Sequence, residues 1–443
     1  MTKKVAVLGD WHLAFVTSAV LADAGHTVQL VKPLNLNSST WTGDFPPLPV
    51  MEPGLQDMID RNCKAGRLSY VNGIQNSLTA DLVWLAVDTP VSDKDEPQLE
   101  PLLVIADQVA RLKQKPQALI ASSQIPLGFC HELEKRTGLS VAYVPENLRL
   151  GKGIETFYRA DRTVIGSDRP ETAQAVKDLM STFPTEFLLT NAVTSEMVKH
   201  ANNAFLATSI SFANELARIG EKFGVDSVTV GKALKLDKRI GPAAYVIPGL
   251  GFAGGTLPRD LRVLQQLGQK EKIPTHLVDA VLQVNESTTR AISEIVQDHL
   301  AHQKLPKTVL IMGYTYKADT DTLRRSLSLD IAEDLKKSGF QIWGLDPVMN
   351  DKDLSQLQGR ISHFDSLDKI QSAPSVVLLM TARPAFDKFN WKQLAALGAN
   401  SQLMLVLDSQ NFLKPEAVLN AGLSFKKLWS PAQRPQGTQD ATR

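Results

Sequence analysis

Short apolar, β-branched runs separated by helix-length segments constrain the fold of this chain more than any other feature. The first set of runs is Val5–Leu8, Val28–Val31, Leu82–Val87, Ala118–Ser122, Val141–Val144 and Thr163–Gly166. A strand that is apolar along its whole length is buried on both faces, and a crossover helix is the usual way to bring the next strand in beside it, parallel. The rhythm therefore predicts a parallel, doubly wound sheet. A polar, proline-rich stretch from Ser92 to Pro101 reads as an exposed loop near that sheet's carboxyl edge. From Thr194 the pattern changes to one long helix, capped by Thr194 or Ser195 and closing at Gly224, with apolar residues at Met197, Ala201, Ala204, Phe205, Phe212, Leu216 and Ile219. A loop rich in glycine and proline, Pro248–Pro258, then precedes a second helical run over Thr275–Leu300. After Lys304 and Pro306 the strand rhythm restarts at Val309–Met312, Ile342–Leu345, Val376–Met380 and Met404–Leu407. The expected organisation is an α/β domain over residues 1–193, a helical domain over 194–303, a smaller α/β domain over 304–429 and a polar, disordered tail over 430–443.

Composition removes several classes of function. Lys and Arg number 48 against 47 Asp and Glu, so no basic stripe calls for nucleic acid or an anionic membrane surface. The two cysteines, Cys63 and Cys130, lie far apart without nearby His or Cys at metal-ligand spacing, so neither a disulfide framework nor a metal site is expected. Val5–Leu8 is too short for the apolar core of a secretion signal, and no run approaches the length of a membrane span. The expected location is the cytoplasm, and the expected partner a small molecule or a protein.

Two clusters carry candidate chemistry. Lys199 and Asn203 stand four apart on the long helix, so both project from one face and can reach one polar ligand, although such a pair taken alone also fits a solvated helix face. The second cluster runs from Gly249 to Asp260, where four glycines let backbone amides approach a ligand and an acid follows in the first turn of a helix. A structural hinge is the alternative.

With Glu196 to Asp260, including Asp237, Arg239, Ile240 and Gly241, the chain resembles the central domain of the UDP-glucose and GDP-mannose dehydrogenase family. The likeness extends over nearly the whole chain: Val5–Gly9, His26, Glu52-Pro53-Gly54-Leu55, Asp88-Thr89-Pro90, Pro145-Glu146-Asn147-Leu148, Gly313 to Lys317 with Arg324 and Ser326, and Asp346-Pro347. It implies a Rossmann-like parallel sheet at each end, a central helical dimerisation domain, a homodimer, and oxidation of C6 of a UDP-sugar or related sugar nucleotide by NAD for polysaccharide precursors. In the family a cysteine captures the aldehyde and a thioester is hydrolysed to the acid. Carried over by motif, Glu146 stands at the water-activating position, Lys199 and Asn203 at the sugar, and Asp260 beside the reaction centre. Arg239, Tyr245, Gly249, Phe252 and Lys317 fall at the sugar nucleotide. The cofactor positions are Gly9, Trp11, Lys32, Thr89, Arg259 and Arg324.

The departures are concentrated. Thr256 occupies the position of the catalytic cysteine, and an unassisted threonine hydroxyl is a weak nucleophile near neutral pH, so no thioester can form there. Arg259 replaces a lysine and cannot act as a readily deprotonated amine. Trp11 stands where a second glycine would let a pyrophosphate approach the backbone, and Lys32 where an acid would bind the ribose, a change that suits NADP or else marks an unused site. Gln124, Leu150 and Gln410 replace a threonine, a glutamate and an arginine of the family pattern. The losses fall on the cofactor and covalent side, while the sugar-nucleotide side is kept. Two readings follow: a dehydrogenase that performs one oxidation or two without a thiol, or a catalytically impaired homologue that binds a sugar nucleotide as a sensor or partner subunit.

Overall fold

The computed structural model describes residues 2–33, 45–76, 79–90, 92, 97–146, 148–253, 256–303, 305–315, 323, 326–349, 354–355, 357, 359–399 and 403–435. The chain clusters into two compact units, Met1–Asn202 and Asn203–Arg443.

The first unit is built on eight strands: β1 (Lys4–Leu8), β2 (Thr27–Lys32), β3 (Leu68–Asn72), β4 (Leu82–Leu85), β5 (Ala118–Ala121), β6 (Ser140–Tyr143), β7 (Arg162–Gly166) and β8 (Glu186–Thr190). Their order is β3-β2-β1-β4-β5-β6-β7-β8, and every pairing is parallel except β6 with β7. The order reverses between β1 and β4, the place where a doubly wound sheet opens a crevice at its carboxyl edge. Alternate residues feed two cores. Val5, Val7 and Trp84 pack with α1 (His12–Asp23), whereas Ala6, Leu8 and Leu85 pack with α3 (Glu100–Ala110) and α4 (Phe129–Thr137), with α2 (Leu55–Lys64) joining the α1 side. The short helix α5 (Gly153–Tyr158) and α6 (Pro170–Leu179) complete the layer beside α1.

The second unit repeats the plan with β9 (Thr308–Met312), β10 (Gln341–Leu345), β11 (Ser362–Phe364), β12 (Val376–Leu379), β13 (Leu405–Asp408) and β14 (Ser424–Lys427) in the order β11-β10-β9-β12-β13-β14. One face packs against α10 (His276–Gln303) and α11 (Leu327–Lys337) through Ile292, Val296, Ile331 and Leu335. The α-helices α8 (Ser227–Leu236) and α9 (Leu257–Glu271) lie between α7 (Ala192–Glu221) and α10 in sequence.

Three expectations change. The long helix α7 begins at Ala192 rather than at Thr194, because the Asn191 side chain accepts the Thr194 amide at 2.8 Å and supplies the cap. The apolar pattern on α7 is not its core face: Phe205, Phe212, Leu216 and Ile219 are 71%, 49%, 41% and 55% exposed, while Ala207, Ser211, Asn214 and Ala217 are buried. Part of the expected disordered tail is ordered, since Gln433 exchanges two backbone hydrogen bonds with Phe425 of β14, at 2.8 and 2.6 Å; residues 436–443 lie outside the described residues.

Candidate functional site

At the crevice of the first sheet, Gly9 follows β1 and passes so close to the neighbouring strand end that a Cβ there would lie 2.6 Å from the Ala86 carbonyl oxygen. The chain then turns into α1 through Trp11, whose backbone is extended and whose side chain is 38% exposed. The helix has no side-chain cap and no acid in its first turn, so no side chain of its own competes with a phosphate for its first amides. Across the crevice, the buried Thr89 hydroxyl donates to the Gln124 main-chain carbonyl at 2.6 Å, and the Gln124 side-chain Nε2 is buried with no partner among the described residues. An unpaired buried donor at the sheet's carboxyl edge and an open helix start fit a dinucleotide. Lys32 ends β2, where a 2′-phosphate or ribose would be read.

Still in the first unit, Lys199 is 4% exposed and donates to the main-chain carbonyl of Glu146, its ammonium also 3.6 Å from the Glu146 carboxylate. The other carboxylate oxygen accepts the Leu148 amide at 2.8 Å, which fixes the acid over its own loop. Asn147 lies outside the described residues. Neither cysteine substitutes for a missing nucleophile. Cys130 is 1% exposed, and burial, with Glu196 nearby, pushes its thiol well above its ordinary range; Cys63 sits half-buried on α2.

In the second unit, Asn203 donates its side-chain amide to the carboxylate of Asp260, which is 1% exposed on the first turn of α9. Arg259 beside it is also buried. Thr256 occupies the N-cap position but makes no side-chain capping bond, and it is exposed. The glycine loop upstream is pinned by two asparagines: Asn214 accepts the Gly249 amide at 2.8 Å, and Asn285 accepts the Phe252 amide at 2.8 Å while donating to its carbonyl at 3.0 Å. Sequence reasoning missed both asparagines; the available signal was an amide side chain on an otherwise apolar or small helix face. Gly254 and Gly255 lie outside the described residues.

That loop forms one wall of a cavity of about 440 Å³, which Tyr245, Gly249 and Phe252 line. The opposite wall is the carboxyl edge of the second sheet, with Thr315, the start of α11 at Ser326, and Gln410 and Asn411 after β13. Gln410 donates its side-chain amide to the Met380 carbonyl at 2.8 Å. Asp408 accepts the amides of Gln410 and Leu413 at 2.9 and 2.8 Å; burial raises its carboxyl above the ordinary range, and those amides oppose the shift. A polar-lined cavity of this size, set between a pinned glycine loop and the carboxyl edge of a parallel sheet, suits a nucleotide. Arg239 is not among the cavity's lining residues: it is exposed and pairs with Asp237 at 2.6 Å. Lys317 and Arg324 lie outside the described residues.

Comparison with known proteins matches this division of labour. The NAD binding domain of the UDP-glucose/GDP-mannose dehydrogenase family matches residues 3–184, its central domain 193–287 and its UDP binding domain 310–415. UDP-glucose 6-dehydrogenase YwqF of Bacillus subtilis (strain 168) is 27% identical over 442 residues, covering 98% of this chain and 99% of that protein. UDP-glucose 6-dehydrogenase of Rickettsia bellii (strain RML369-C) is 26% identical over 96% of this chain and 99% of its own. A solved UDP-glucose dehydrogenase from the hyperthermophilic archaeon Pyrobaculum islandicum superimposes with a TM-score of 0.82 at 26% identity, over 96% of this chain and 97% of that one. This chain therefore belongs to the UDP-glucose/GDP-mannose dehydrogenase family.

Proposed function

We propose that this protein oxidises the C6 alcohol of a UDP-sugar of the UDP-glucose type, with NAD or NADP as acceptor, to make precursors of polysaccharides in the cytoplasm. The observation that carries the reading is the contrast within one turn of α9: Asp260 is buried and held by Asn203, while Thr256 is exposed and uncapped. Proton-handling groups are kept and the covalent nucleophile is lost. The nicotinamide, when bound, accepts hydride from C6. In the first oxidation the alcohol gives up that hydride and its hydroxyl proton and becomes the aldehyde. By motif, Lys199 is assigned to the developing oxyanion and Asp260, oriented by Asn203, to the proton. Lys32 favours a dinucleotide that carries a 2′-phosphate. Gly249, Phe252 and Tyr245 hold the nucleotide, with Arg239, Lys317 and Arg324 assigned to ligand contacts by motif.

Without a thiol the second oxidation has no thioester route. The aldehyde is released, or it is oxidised as its hydrate with water supplied at Glu146; we assign the first outcome, because Thr256 supplies no thiol and its exposed side chain makes no capping bond. Calorimetric titration with UDP-glucose, NAD and NADP, followed by reduced cofactor formed per sugar consumed, tests both parts. One equivalent is expected from the wild type, rising toward two in Thr256→Cys. Binding of UDP-glucose with neither dinucleotide bound would sink the dehydrogenase reading and leave a binding role.

The exposed stripe on α7 supports a homodimer. Each large apolar side chain that it buries is worth about 1.5–3 kcal/mol. Sedimentation of Phe212→Glu should yield monomer; an unchanged dimer would remove this helix from the interface.

A further inference from the structure

His12 and Glu52 have no part in the chemistry assigned above, yet they form a hydrogen-bonded pair whose side chains are 6% and 1% exposed. His12 opens α1, next to Trp11 at the dinucleotide crevice. Its Nε2 lies 2.6 Å from one oxygen of Glu52, and that same oxygen accepts the Gly151 amide at 3.0 Å. The second oxygen accepts the Gly153 amide at 2.8 Å, so the carboxylate also serves the free end of α5. A Cβ on Gly153 would lie 2.9 Å from His12 Cε1 and 3.2 Å from Glu52 Oε2, which leaves no room for a side chain. One buried carboxylate thus joins the first turn of α1 to the segment that continues from Glu146.

We propose that Glu52 is a positioning residue: through His12 it links the occupancy of the α1 turn to the placement of the Glu146 segment. The link rests on the dehydrogenase reading only for the identity of the occupant, a dinucleotide. A carboxylate accepts all three hydrogen bonds because it brings no donor of its own. Glu52→Gln turns one oxygen into a donor facing a donor, and the clamp must open on that side. His12→Ala leaves Glu52 on the two glycine amides but cuts its link to α1, whereas His12→Gln can still donate.

Amide hydrogen exchange on the full chain tests the proposal, with NAD and NADP as probes and calorimetry in parallel. Without ligand, Glu52→Gln should speed exchange over residues 151–158 by about tenfold or more relative to wild type. In the wild type and in His12→Gln, a bound dinucleotide should slow exchange over residues 146–158. In His12→Ala the dinucleotide should still bind while that protection is lost, a separation that general destabilisation does not produce. Unchanged ligand-free exchange in Glu52→Gln overturns the clamp, and retained protection in His12→Ala overturns the route through His12. If Glu52→Gln does not fold, the two His12 variants decide alone. If the wild type binds neither dinucleotide, the dehydrogenase reading and the linkage fall together, and ligand-free exchange in Glu52→Gln still decides whether Glu52 holds the segment.

Discussion

The two sheets share a strand order and a glycine at the same place in it, yet their crevices are finished in opposite ways. Gly9 after β1 presses on the Ala86 carbonyl, and Gly313 after β9 presses on Thr381, where a Cβ would lie 2.6 Å from the threonine's own. At the end of the second strand the chemistry diverges. In the second unit Asp346 is buried and closed upon Arg383 at 2.8 Å, it accepts the Tyr314 amide at 3.1 Å, and Arg383 reaches Thr315 at 2.6 Å. In the first unit β2 ends instead on Lys32, and α1 starts without a cap. Topology supplies a crevice in both cases, but the residues at the strand ends decide what it can hold. An acid closed on an internal guanidinium stiffens a wall, whereas Lys32 places a positive charge at the corresponding strand end.

Breaking the closed network should cost most. Arg383→Leu strands the Asp346 carboxylate in the interior, and a loss of about 3–5 kcal/mol in urea unfolding is expected, with weaker UDP-glucose binding as Thr315 loses its donor. A loss below about 1 kcal/mol would show that the pair is dispensable. Gly9→Val should cost about 1–3 kcal/mol in thermal unfolding through overpacking against Ala86, and Gly313→Val should do the same for the second sheet. Lys32→Asp should shift the ratio of NADP to NAD affinity by roughly tenfold toward NAD; an unchanged ratio would remove Lys32 from the ribose site. The smallest effect is on pH dependence. Burial lowers His26, His299 and His363 below the ordinary 6.5, so the folded state binds fewer protons than the unfolded chain below that pH. Stability should therefore fall from about pH 6.5 downward until those lowered values are passed. His131, raised by Asp168, acts in the opposite sense above 6.5, but its side chain is 52% exposed and contributes little. Urea midpoints for wild type and His26→Asn should diverge between about pH 7.5 and about pH 5.5.

The sequence showed the inner strands and hid the outer ones. β3, β8, β11 and β14 escaped the reading, and all four are the edges of their sheets. An edge strand has a neighbour on one side only and need not be buried on both faces: β8 reads Glu-Phe-Leu-Leu-Thr and is largely exposed. The α7 stripe misled for a related reason. An apolar period shows that a face is to be covered, not that this chain covers it, and α7 packs inward on small and polar residues instead. The motif residues Glu146, Lys199, Asn203 and Asp260 were legible because each is a polar group in a recognisable run. Glu52 was visible within a motif but silent about its role, since its three partners come from residues 12, 151 and 153. Contacts that distant in sequence leave no local pattern.

The pairing of Gln433 with Phe425 has a consequence for the handling of the protein. β14 is the last strand of its sheet, and without that pairing its outer row of amides and carbonyls would be open to another molecule's strand. Residues 430–435 therefore act as a guard against edge-to-edge aggregation. A truncation before Ser430 should reduce solubility more than it reduces stability, while a fusion joined after Pro435 leaves the guard in place.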